Sequence, residues 1–269
     1  MRYNQTMPHA SSPRIPNQFH FCYFGGQPFS LVNYLTIASA RAVNQPEAMY
    51  IYMDKEPAGE WWDKAKPLVT VVTTPAPDQV FGAPIKHPAH KADVVRLQKL
   101  IEHGGIYLDL DVLCVKPFTP LLDNPLVLAE ENYRGSIVGL CNAVILAEPG
   151  ANFAKRWLEG FDPARSLWRG FRSQGFDQYY SELSVKYPKF LSTVYAEEIH
   201  IEPSDRFFNP SYAPESLEQF FSTTAGDYTA AYAHHLWNNA AYEAYLRDLT
   251  VQKIKTQATT FNLLARAYV

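Results

Sequence analysis

Residues Ile106 to Val115 read Ile-Tyr-Leu-Asp-Leu-Asp-Val-Leu-Cys-Val, two aspartates one residue apart inside an otherwise apolar run. An ionised carboxylate does not stay in an apolar interior uncompensated, so this run either reaches a surface or holds a cation. Taken as one extended strand, it puts Ile106, Leu108, Leu110, Val112 and Cys114 on one face and Tyr107, Asp109 and Asp111 on the other. The two aspartate Cα atoms are then roughly 6.5–7 Å apart. Such a pair of hard oxygen donors suits Mg²⁺ or Mn²⁺, ions that keep open positions for water and substrate phosphates. A short Asp-x-Asp can also simply end a strand in solvent. The apolar residues on both sides favour the cation.

The segment before this strand is helical. Val94, Leu97 and Ile101 fall at i, i+3 and i+7, and Gly104-Gly105 supplies the stop. Pro117 and Pro120 end the strand itself. Asp93 and Arg96 sit at i and i+3 on that helix and can meet on its surface. Alone they would be an ordinary exposed ion pair of little worth. Beside a metal-bound diphosphate, Arg96 could grip phosphate or sugar oxygens with its planar fork while Asp93 accepts from hydroxyls. Lys91 adds a second cation next to them.

Elsewhere the chain alternates strand and helix signals. Phe19, Phe21 and Tyr23 alternate with His20 and Cys22 before Gly25-Gly26. Leu31, Tyr34, Leu35 and Ala38 have helical spacing, and Met49 to Met53 and Val69 to Thr74 read as strands. This order implies an α/β fold with a mainly parallel sheet flanked by helices. After residue 150 aromatic residues become denser, 23 in the last 119 against 15 in the first 150, which marks an aromatic-rich, helical C-terminal part. Helices are expected around Phe153 to Phe161, Phe176 to Tyr187 and Asn239 to Ala265. The expected organisation is a loose N-terminus over 1–14, an α/β region over 15–150, and a lid or acceptor region over 151–269 belonging to the same domain.

Charge excludes some partners. With 24 Lys+Arg against 27 Asp+Glu there is no basic excess to hold a nucleic-acid backbone. No apolar run reaches the length of a membrane span, and Met1 to Gln18 has no signal-peptide core. Cys22, Cys114 and Cys141 are odd in number and widely spaced, the pattern of buried reduced thiols rather than a zinc site. A cytoplasmic location is the expectation.

The string His90-Lys91-Ala92-Asp93-Val94-Val95-Arg96, followed by Gly104-Gly105-Ile106-Tyr107-Leu108-Asp109-Leu110-Asp111, closely resembles the signature of glycosyltransferases with a DXD sugar-binding region, often called family 32. Those enzymes include initiating mannosyltransferases, α-1,4-galactosyltransferases and, more distantly, the glucosyltransferase domains of clostridial toxins. Ile15-Pro16 and His20-Phe21-Cys22-Tyr23-Phe24-Gly25 look like the family's opening strand, with Tyr23 in place of the usual Trp. Asn142-Ala143-Val144-Ile145 and His234-His235-Leu236-Trp237-Asn238 resemble two later segments.

The resemblance implies a GT-A fold, Rossmann-like, binding a nucleotide-sugar through Mn²⁺ or Mg²⁺ and transferring a hexose with retention. A UDP-sugar is expected in preference to a GDP-sugar, with a glycan or lipid-linked saccharide as acceptor and peripheral membrane association through that acceptor. Carried over by position, Tyr23 would stack on the base and Asp54 lie near base or ribose. Asp93 and Arg96 would hold the donor, with Tyr107 beside them and Asn142 at the donor sugar. Asp109 and Asp111 would ligate the metal with His235, and Trp237 and Asn238 would close over the diphosphate. Without the resemblance, the favoured reading of His234-His235 is one neutral histidine packed in an aromatic-rich core, and Asn142 is as readily a strand-end hydrogen-bonding group as a donor-sugar contact. Two rival readings stand beside this one. A haloacid-dehalogenase-type phosphohydrolase would use the same Asp-x-Asp as nucleophile strand, though Gly226-Asp227 lacks the adjacent acid it needs for Mg²⁺. A non-enzymatic carbohydrate-binding module would use the aromatics and need no metal-diphosphate site.

Overall fold

A computed structural model describes residues 12–168, 171–173 and 178–269. Strand and helix alternate through the first half: β1 (Gln18–Tyr23), α1 (Leu31–Asn44), β2 (Ala48–Met53), α2 (Glu60–Ala65) and β3 (Thr70–Thr73). A short hairpin of β4 (Gln79–Val80) and β5 (Ala83–Pro84) leads to α3 (Pro88–His103), β6 (Gly105–Leu108) and β7 (Val112–Cys114). The long hairpin β8 (Leu126–Tyr133) and β9 (Ser136–Ala147) follows. Beyond it lie α4 (Asn152–Glu159), α5 (Tyr187–Val194), β10 (His200–Glu202), α6 (Pro214–Ser222), β11 (Ala233–His235), α7 (Asn238–Ala241), α8 (Val251–Thr256) and α9 (Thr260–Ala265).

The main sheet has the order β10-β8-β9-β6-β1-β2-β3. Its pairings are parallel except where β9 runs against β6 and β8. Both faces are covered, which is why the central strands carry near-continuous apolar runs. One core gathers Phe19, Phe21, Ile51, Leu108 and Val144, and the other Leu97, Leu100, Tyr107, Ile145 and Trp157. The three cysteines are unpaired, Cys114 and Cys141 being buried.

Capping explains the helix limits. Ser30 and Asn33 form a reciprocal capping box at the start of α1. Pro88 opens α3, and Gly104, at φ +66°, closes it. Gly105 then needs its missing side chain. At φ +109° a Cβ there would lie 2.6 Å from the Gln18 carbonyl oxygen of the neighbouring β1.

Three expectations need correction. The run Ile106 to Val115 is two strands, not one: β6 ends at Leu108, and β7 belongs to a separate antiparallel pair with β11. Between them Asp109 donates its N–H to the Ala143 carbonyl, and the Leu110 carbonyl takes the Asn33 amide at 2.9 Å, so the chain turns there. The edge of β7 is satisfied by α1 side chains, as Val112 and Cys114 donate to the Thr36 and Ser39 hydroxyls. The helix expected over Phe176 to Tyr187 starts in part outside the described residues. Helical structure begins as a wide turn at Glu182–Lys186 and continues through α5. The long helix expected over Asn239 to Ala265 is broken into α7, a wide turn at Tyr242–Leu246, α8 and α9. Thr250 and Thr259 restart it, each accepting from the backbone N–H three residues on. The loose segment expected over 1–14 lies mostly outside the described residues.

Candidate active site

The turn that splits the two strands carries the acids to a common point. Asp109 leaves the end of β6, and Asp111 enters β7. The antiparallel partner β11 sets His235 opposite Val112. His235 Nε2 lies 3.2 Å from Asp111 Oδ1, and the Asn238 N–H donates to Asp111 Oδ2 at 2.8 Å. One donor atom from each of Asp109, Asp111 and His235 falls within 4.8 Å of the others.

Behind the triad, α3 supplies a buried charge cluster. The Arg96 guanidinium lies 3.1 Å from Asp93 and 3.2 Å from Asp109, and donates to the Asn142 carbonyl at 2.7 Å. Its plane covers the Tyr107 ring at 4.3 Å. The Asn142 amide donates to Asp93 at 2.7 Å, and the Tyr107 hydroxyl to Asp109 Oδ1 at 2.7 Å. Arg96 is only 3 % exposed and Asp93 4 %, so each ion is held by partners rather than by water.

Electrostatics follow from these contacts. Burial raises the Asp93 carboxyl and outweighs Arg96. Burial alone would lower the His235 imidazole and raise the Asp111 carboxyl, but their contact reverses both, raising His235 and lowering Asp111. Three carboxylates against one guanidinium leave a formal surplus of two negative charges while His235 is neutral.

The donor set fits a divalent ion. Two carboxylates and an imidazole are borderline-to-hard ligands. The Arg96 and Tyr107 contacts both go to Asp109 Oδ1 and leave Oδ2 to other partners. The side chains of Asp109 and Asp111 keep 28 % and 15 % of their surface, which leaves an open side for phosphate oxygens. The ligand triad of the sequence reading, Asp109, Asp111 and His235, is thus brought together. His235 Nδ1 is buried and without a partner among the described residues.

The other expected site residues divide by position. Arg96, Asp93, Asn142 and Tyr107 form the layer beneath the triad, and Tyr107, 1 % exposed, reaches the site through Asp109. Trp237 is half-buried beside His235, its ring 4.1 Å away and its indole N–H donating to the Pro210 carbonyl. Asn238 meets Asp111 through its backbone. Tyr23 is 8 % exposed, its ring packed on Phe29 and its buried hydroxyl without a partner among the described residues. Asp54 is exposed at the end of β2, close enough to help raise the Tyr23 phenol after burial has done most of it.

Sequence reasoning missed Asn33, which pins the turn through Leu110, and Glu131 on β8, a buried carboxyl close enough to His235 to help raise it. The signal for Glu131 was an acid inside Leu-Val-Leu-Ala-Glu-Glu, passed over because it belongs to no spaced pair.

Comparison with known proteins gives a consistent picture. Residues 36–128 match the family described as "Glycosyltransferase sugar-binding region containing DXD motif". A "Glucan organizing enzyme 1" of Cryptococcus neoformans is 31 % identical over 95 % of this chain and 71 % of its own length. The "Mannosyl phosphorylinositol ceramide synthase SUR1" of Saccharomyces cerevisiae is 28 % identical over 52 % of this chain, which spans only 35 % of that protein. In fold, the chain resembles the galactosyltransferase LgtC, solved with donor and acceptor sugar analogues, at a TM-score of 0.50 and 14 % identity, covering 94 % of this chain and 96 % of that one. The fold is therefore that of the GT-A glycosyltransferases, and the chain belongs to the glycosyltransferases with a DXD-containing sugar-binding region.

Proposed function

We propose that this glycosyltransferase moves a hexose from a nucleotide-diphosphate sugar, a UDP-sugar in preference to a GDP-sugar, to a hydroxyl of a saccharide acceptor, with retention and with a divalent ion, Mn²⁺ or Mg²⁺, at Asp109, Asp111 and His235. The observation that carries the reading is the convergence of these three donors at one open turn, above a buried Arg96. A bound divalent ion would supply charge neutralisation for the departing diphosphate. The chain's own groups do the rest. Arg96 fixes the Asp109 carboxylate, Asn142 fixes Asp93, and the Asn238 backbone holds Asp111, so the negative site is organised before the donor arrives. A pre-set array costs no reorganisation when charge develops on the leaving group.

Unpaired cysteines support a reducing setting, and a lipid-linked acceptor would bring the protein to a membrane surface; among the described residues no helix is long and apolar enough to cross a membrane. The test is titration of UDP and GDP with and without Mn²⁺, followed by a screen of nucleotide-sugars for slow Mn²⁺-stimulated hydrolysis. Metal-dependent nucleotide binding is expected. Full turnover in the presence of a chelator would remove the metal from the reading, and phosphate release from a phosphomonoester would replace transfer with hydrolysis.

A further inference from the structure

A row of aromatic rings runs outward from the triad. His235 and Trp237 have ring centroids 4.1 Å apart, Trp237 and Tyr212 5.1 Å, and Tyr212 and Tyr133 4.7 Å with planes within 19°. The rings come from three distant segments: the end of β8, the loop before α6, and the residues after β11. All three beyond His235 are half-buried. Trp237 packs on the cores, whereas Tyr133 and Tyr212 belong to none of the apolar clusters among the described residues. The two tyrosines stack on each other outside those clusters, with the Arg134 guanidinium 5.4 Å from the Tyr133 ring centroid, and stand in line with the metal-binding turn. Glu131, two residues before Tyr133, brings a carboxyl to the same place. It is 8 % exposed, takes the Cys141 thiol as a partner, and lies near enough to Tyr212 and His235 to act on both electrostatically.

We infer that Tyr133, Tyr212 and Trp237 form the acceptor subsite, which takes a pyranose ring of a glycan with its apolar face on the aromatic row and its hydroxyls toward Glu131. The inference rests on the transferase reading above and names its second substrate. Pyranose rings present C–H groups on one face and hydroxyls at the rim, so they call for an amphipathic aromatic surface beside a hydrogen-bond acceptor. The row and the carboxyl offer that combination, and the row leads to the metal-binding turn where the sugar would be transferred.

The test compares Tyr212→Ala and Tyr133→Ala with Tyr212→Phe, which keeps the ring, in the full chain. Acceptors are a panel of α- and β-linked gluco-, galacto- and manno-oligosaccharides. The alanine variants are expected to raise the acceptor KM roughly five- to tenfold and Tyr212→Phe less than about twofold. The dissociation constant of UDP or GDP with Mn²⁺ is expected to stay at the wild-type value in all three, which also shows that they fold. An unchanged acceptor KM in both alanine variants would overturn the subsite, as would a loss of nucleotide affinity, which would assign the row to the donor. A wild type that binds Mn²⁺-nucleotide yet neither binds nor glycosylates any member of the panel would overturn it too. Sedimentation with phosphatidylcholine–phosphatidylinositol vesicles that is abolished by Tyr133→Ala, with KM unmoved, would make the row a lipid contact and overturn it as well. Failure of the wild type to bind either nucleotide strikes the transferase reading first and takes the subsite with it, so the two failures are distinguishable.

Discussion

His235 Nε2 stands 3.2 Å from Asp111 Oδ1 because β11 folds back antiparallel on β7 and brings the last motif against the acid that immediately precedes β7. The pair makes the site self-compensating before a metal arrives, since each ion offsets the burial of the other. Any divalent ion that binds must compete with this contact.

Asp111→Asn is expected to reduce transfer roughly 100-fold or more and to remove Mn²⁺-stimulated nucleotide binding, because the amide keeps the Asn238 contact but loses the negative charge. Thermal unfolding should move little, since an amide can still meet His235. Isothermal titration of Mn²⁺-nucleotide against the variant checks this. Binding at wild-type strength would leave Asp111 out of the metal site.

Arg96→Lys is expected to be severe. Arg96 contacts Asp93, Asp109 and the Asn142 carbonyl at once and lies over Tyr107, and a compact ammonium cannot keep all four contacts. The variant leaves a buried carboxylate short of part of its partner, and losing that partner outright would cost about 3–5 kcal/mol, which sets the upper limit. Denaturant midpoints and kcat should fall together. A variant with wild-type stability and reduced kcat would show that Arg96 acts on the donor alone and that the buried layer holds without it.

These residues also show how far a sequence can be read. The positions of β1, α1, β2, β3 and α3 follow from period and stop signals, whereas α2 is too short to show a period and the β4-β5 hairpin lies in a proline-rich stretch that reads as irregular loop. The Asp-x-Asp run with Asp93 and Arg96 is legible as a cluster because all of it lies within one helix-strand unit. The turn at Leu110 is not legible, because what breaks the strand is Asn33, a capping residue of a distant helix that spends its amide on the Leu110 carbonyl. Leu110 itself looks like any strand residue. His235 could be reached only by resemblance, since the antiparallel return of β11 is a tertiary pairing with no local signal. The aromatic row is harder still, for Tyr133 and Tyr212 are unremarkable tyrosines until the fold stacks them.

Gly105→Ala is expected to destabilise the protein by about 2 kcal/mol or more. The backbone there has φ +109°, and the new Cβ would meet the Gln18 carbonyl at 2.6 Å, a backbone atom that cannot swing away. Because the clash lies where β6 starts beside β1, the loss should appear as a lower denaturation midpoint, with nucleotide affinity retained by the folded fraction. Wild-type stability would mean that the strand pair can part at no cost.

His20 sets an acid limit on stability. Its Nε2 meets the Gly104 carbonyl at 2.8 Å and its Nδ1 the Tyr52 hydroxyl at 3.0 Å, which fully satisfies a neutral ring with Nε2 donating. Burial lowers its pKa from 6.5 to about 4. The unfolded chain therefore binds a proton at this position between pH 6.5 and about 4 while the native state does not, and stability falls as pH falls through that window. The contribution is complete above pH 6.5 and amounts to roughly 3 kcal/mol at most. In His20→Gln the amide can keep one of the two contacts and does not titrate. Unfolding free energies measured from pH 7 to pH 4 should then converge for wild type and variant toward the acid end. Parallel curves across that range would mean that His20 takes up its proton as readily in the native protein as in the unfolded chain.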